Sequence, residues 1–107
     1  MSKQDRTDDL TPREALLHVA KGYICGDRNA SYGEPTQDFD RTAELWNAMG
    51  FRVNGEKVEG HHIALAMIGL KMSRAMHSPG KYDTLIDIAG YAACGWECVL
   101  HEGYEQS

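Results

Sequence analysis

The 107-residue chain carries 11 lysines and arginines against 16 aspartates and glutamates, a formal charge of −5, with 42% hydrophobic residues. That length supports one hydrophobic core rather than two, and the acid excess, with no basic run of five, disfavours the phosphate-neutralising surface of a nucleic-acid-binding protein. The longest apolar run falls far short of a bilayer, and "MSKQDRTDDL" (1–10) lacks the apolar stretch of a signal peptide, so the chain reads as soluble and cytoplasmic without a membrane partner.

Residues 1–10 are polar and read as a flexible arm, followed by a single helical domain over 11–103. "TPRE" predicts a helix start: Thr11 suits the N-cap, Pro12 the first turn, and Glu14 completes a capping box. Leu16, Leu17, Val19, Ala20, Tyr23 and Ile24 supply an apolar face, and Gly26 is the expected stop. "GDRNASYGEP" (26–35) is a loop by its glycine and proline punctuation. A second helix is expected over about 36–49, with Phe39, Ala43, Trp46 and Met49 on one stripe and Gly50 ending it. "FRVNGEKV" places an Asn54-Gly55 turn between short β-prone pieces, a minimal β-hairpin near 51–58. "GHHIALAMIGLKMSRAMH" (60–77) is apolar around nearly its full circumference, the pattern of a central, buried helix.

Pro79 and Gly80 break that third helix, and a fourth runs from about Tyr82 to His101. Its Gly90 and Gly95 each cost a helix about 1 kcal/mol relative to alanine, so they call for a packing or ligand reason. The short connection predicts an antiparallel hairpin of helices three and four. The fold class is therefore all-α, a four-helix bundle-like domain. Trp46 and Trp96 read as core or interface anchors. The apolar load of the last two helices exceeds what the first two can cover, which predicts a homodimer.

Three cysteines make an odd count without a C-x-x-C pair. Cys94, Cys98 and His101 share a helical face, but buried thiols are a commoner state than a three-ligand metal site. His61 and His62 at the start of the third helix read as solvated or capping groups.

Four charges interrupt the apolar hairpin: Lys71 and Arg74 on one helix, Asp83 and Asp87 on the next. Each pair can lie on one face, so all four can meet in one layer. As structure, Arg74 would pair with Asp83 and Lys71 with Asp87, leaving no net charge. As function, Asp83 and Asp87 would hold Mg²⁺ while Lys71 and Arg74 neutralise phosphate. The loop adds Arg28, suited to a bidentate phosphate contact, and Tyr32, suited to stacking on a base. Equally, Asp27 and Arg28 can brace that loop, with Gly33 supplying a positive φ.

"GDRNASYG" (26–33), "DFDRTAELW" (38–46), "LKMSR" (70–74) and "DTLIDIAGY" (83–91) together resemble a family of small, largely uncharacterised bacteriophage and prophage proteins, over about residues 13–98. More distantly, the chain is similar to the MazG-like all-α nucleotide pyrophosphohydrolases, in which a Glu-x-x-Glu helix and a Glu-x-x-Asp helix bind Mg²⁺. That similarity implies Asp83 and Asp87 as catalytic metal ligands, a nucleotide substrate, a homodimer and a bacterial host's cytoplasm. Lys71 and Arg74 stand where the Glu-x-x-Glu pair belongs and cannot ligate Mg²⁺. Asp40 and Glu44 are the remaining carboxylates that could face Asp83 and Asp87, although a solvated face beside Arg41 suits them better. The expected function is binding of a nucleotide or similar phosphorylated small molecule, with Mg²⁺-assisted hydrolysis as its extension. The alternative is a non-catalytic binding or host-directed protein whose charged layer is purely structural.

Overall fold

The computed structural model describes residues 9–26 and 33–107. Four helices follow one another: α1 (Pro12–Cys25), α2 (Pro35–Ala48), α3 (Gly60–His77) and α4 (Tyr82–His101). Most of the expected N-terminal arm, and the loop positions Arg28 and Tyr32, lie outside the described residues.

Local chemistry sets the helix ends. Thr11 Oγ1 accepts from the Glu14 amide at 3.2 Å, and Glu14 Oε1 accepts from the Thr11 amide at 2.9 Å, which is the reciprocal capping box. These bonds from Thr11 backbone and side chain hold the Glu14 carboxyl below its ordinary pKa. α2 closes in a Schellman motif: Phe51 N–H bonds the Trp46 carbonyl, Gly50 N–H bonds the Asn47 carbonyl, and Gly50 takes φ +96°. The Phe51 and Trp46 rings meet at 5.6 Å, supplying the apolar contact that accompanies this cap. At the far end of α4, Gly103 at φ +87° repeats the motif through Tyr104 N–H to the Val99 carbonyl.

The β-hairpin expected near 51–58 shrinks to a single antiparallel bridge between Val53 and Glu56, and there is no strand among the described residues. Asn54 and Gly55, at φ +50° and +81°, make the expected turn. The chain then leaves the ladder because a side chain takes over. Asn47 Oδ1 accepts from the Val58 amide at 2.8 Å, and its Nδ2 donates to the Val58 carbonyl at 2.9 Å. That amide pins buried Val58 against α2 instead of against a second strand.

The α3–α4 hairpin is the most extensive packing in the fold; α1 lies against α4, and α2 against α3 and α4. Phe39, Ala43, Val58, Ile63, Ala64, Cys94 and Cys98 form the core. The α4 glycines serve packing. A Cβ on Gly95 would sit 3.1 Å from the Ala64 Cβ, and one on Gly90 would sit 3.2 Å from Ile24 Cγ2. Each lets one neighbouring helix approach, α3 and α1 respectively.

The expectation that α3 is buried all round is corrected. Its buried residues are confined to Gly60, Ile63 and Ala64, whereas Leu65 is 59% and Met76 85% exposed. Among the described residues α3 is covered chiefly by α2 and α4, which leaves much of its circumference exposed. Trp46 packs against the core, while Trp96 stays half exposed.

Candidate functional site

The four hairpin charges do not form one layer. Lys71 Nζ meets Asp87 Oδ2 at 3.0 Å, with the two side chains 15% and 33% exposed. Arg74 and Asp83 are both exposed and make no ion pair among the described residues. Half of the expected network is thus real and half is not. α4 turns Asp87 toward α3, whereas Asp83, in the first turn of α4, stays in solvent and complements the positive helix end.

Asp87 has a second neighbourhood. It lines a pocket of about 200 Å³ between α1, α2 and α4, whose walls include Tyr23, Phe39, Tyr91, Asp38 and Cys94. The Phe39 and Tyr91 rings lie 6.1 Å apart and tilted by 41°. Gly33 also lines it. Asp38 makes a long contact of 3.8 Å with Arg41 in solvent. The pocket therefore joins aromatic faces to two carboxylates, one of which is already bound to a lysine.

The remaining sequence candidates separate. Asp40 does not face Asp83 and Asp87: a Cβ on Gly60 would lie 2.5 Å from Asp40 Oδ1 and 3.3 Å from both Cys98 Sγ and Glu102 Oε2, which places Asp40 near the opposite end of α4. Glu44 is exposed. Burial pushes the Cys94 thiol up to about 11 and the Cys98 thiol to about 12, with nearby Glu97 and Glu102 adding to the effect. Both thiols are buried and held toward the neutral form, which is the state of an inert core cysteine, and His101 is exposed.

One cluster was missed in the sequence. Glu59, His61 and His62 come together where α3 begins, and Glu102 reaches them from the end of α4. His61 Nδ1 donates to Glu102 Oε1 at 2.5 Å, since a carboxylate can only accept. His61 N–H bonds Glu102 Oε2 at 3.2 Å. His62 Nδ1 accepts from the Glu59 amide at 2.8 Å and so caps the helix, as read from sequence. Burial, then the neighbouring His61, lowers the His62 pKa. Tyr104 OH donates to Glu59 Oε1. These partners lie 41 and 45 residues apart, and no local pattern announces them.

A family model described as a domain of unknown function, DUF6378, matches residues 15–99. The chain belongs to this family. Within the DUF6378 match fall both the Lys71–Asp87 pair and the aromatic pocket. The chain is 36% identical over 78 residues to the gene 55 protein of Mycobacterium phage L5, covering 73% of this chain and 48% of that protein. It is 32% identical over 81 residues to the gene 55 protein of Mycobacterium phage D29, covering 76% of this chain and 51% of that protein. The chain thus spans about half the length of the curated phage relatives it matches. No solved structure matches it. No helix among the described residues is long and apolar enough to cross a membrane.

Proposed function

We propose that this DUF6378 protein binds a nucleotide or a similarly phosphorylated small molecule at the pocket between α1, α2 and α4. The observation that carries the reading is the double position of Asp87, which lines the pocket and also holds Lys71 at 3.0 Å. Tyr23, Phe39 and Tyr91 offer apolar faces to a base, and carboxylates beside them accept hydrogen bonds from its amino groups. A Mg²⁺–nucleotide complex carries a cation for Asp87 and an anion for Lys71, so the ion pair can open without stranding either charge. Asp83, one turn from Asp87, supplies a second carboxylate for the ion, and Arg74 a second phosphate contact. Arg28 and Tyr32, which precede Gly33 in the sequence, complete the proposed ligand set.

Hydrolysis of a phosphoanhydride by metal-activated water, as in MazG-like enzymes, is the extension of this reading. Lys71 and Arg74 replace the first carboxylate pair of those enzymes, which ranks binding ahead of turnover. The test is a panel of nucleotides with and without Mg²⁺, read by melting temperature and pyrophosphate release. Binding predicts a Mg²⁺-dependent rise that is lost in Lys71→Met and Asp87→Asn. No rise with any nucleotide would leave Lys71 and Asp87 as a structural pair.

The half-exposed Trp96 and Leu65 beside Ile68 and Val99 favour a second copy of the chain as partner.

A further inference from the structure

We infer that Glu59, His61 and His62 form a binding site for a borderline divalent transition-metal ion such as Zn²⁺, separate from the nucleotide pocket. Among the described residues these three offer ligand atoms that all lie within 4.8 Å of one another, and each is partly buried. Two imidazoles and one carboxylate are the donor set that such ions take, with the remaining position left to water. The residues around the cluster prepare it for a cation. Glu102 accepts from His61 Nδ1, which fixes the ring and its tautomer and leaves Nε2 unprotonated, as in the carboxylate–histidine pairs that orient metal ligands. Tyr104 OH does the same for Glu59 through Oε1.

Charge points the same way. The N-terminus of α3 would by itself repel a cation. Glu59, Glu102 and Asp40 all converge there, the last two within reach of Gly60, where any Cβ would strike the Asp40 carboxylate. His62 Nδ1 is at present the acceptor of the Glu59 amide, so its ligation requires that cap to open. The ion and the cap compete for one imidazole, and metal loading therefore exposes the Glu59 amide to exchange.

The cluster lies about ten residues from Lys71 along α3, or about 15 Å at the helical rise, so its occupancy is independent of the nucleotide reading. Metal-free protein titrated with Co²⁺ is expected to develop ligand-field bands at one equivalent, displaced by Zn²⁺, together with a Zn²⁺-dependent rise in melting temperature. Glu59→Gln and His61→Gln should each weaken binding at least tenfold, whereas His18→Gln on exposed α1 surface should not. If His61→Gln unfolds the chain, Glu59→Gln carries the test. Absence of the bands and of the rise overturns the site. Bands that persist undiminished in Glu59→Gln overturn it equally, by showing adventitious binding elsewhere.

Discussion

At the scale of single residues, the hairpin charges divide according to burial. Lys71 is mostly shielded and relies on Asp87, while Arg74 and Asp83 are hydrated. Removing one member of a shielded pair strands the other, whereas hydrated charges lose little. Asp87→Asn is therefore expected to lower unfolding free energy by about 1–2 kcal/mol, between the exposed and buried limits. Arg74→Met and Asp83→Asn should each change it by less than about 0.5 kcal/mol. Urea denaturation of the three variants decides this, and equal losses in all three would restore the single-layer network.

At the scale of elements, the α4 helix trades propensity for proximity. Alanine at either glycine gains about 1 kcal/mol of helix propensity. At Gly95 the added methyl meets the Ala64 Cβ, which is fixed to the α3 backbone, so the two helices must part. Gly95→Ala is expected to be net destabilising by about 1 kcal/mol. At Gly90 the contact is Ile24 Cγ2, a side-chain atom that can yield, so Gly90→Ala should be near neutral in thermal melts. Because Gly90 also lines the pocket, the same variant is expected to weaken nucleotide binding.

The α3 cap gives this element a pH dependence. The His62 imidazole is held below its ordinary pKa by burial and by His61. The unfolded chain therefore binds this proton first, at a pH of about 6.5. Its contribution to stability is fully present above that value and is lost as pH falls through the lower folded value. His62→Gln, which keeps a side chain able to cap, should flatten this part of a melting-temperature profile. The Glu14 carboxyl, lowered by its Thr11 bonds, acts in the same direction in the carboxylate range.

At the scale of the whole molecule, the exposed side of α3 and α4 is the main departure from a self-contained bundle. Leu65, Met72, Trp96 and Leu100 are all well exposed, and a groove runs between Leu65, Ile68, Trp96 and Val99. A dimer formed through this face is expected to appear in light scattering as twice the chain mass, and Leu65→Glu should return it to monomer. A monomer at all concentrations would count against the second copy.

The sequence by itself determined the helices and their ends. Thr11 and Glu14, Gly50, Asn54-Gly55 and Pro79-Gly80 act on backbone groups a few residues away, so their effects are local and additive. What only the tertiary structure decided is which side chains meet across elements. A helix turns by about 100° per residue, so Lys71 and Arg74, three residues apart, do not point the same way, and Lys71 meets Asp87 while Arg74 stays exposed. Helix placement likewise puts Asp40 beside Gly60, and Glu102 and Tyr104 meet the start of α3 across 41 and 45 residues. Such contacts depend on helix rotation and register, which short-range sequence signals leave open.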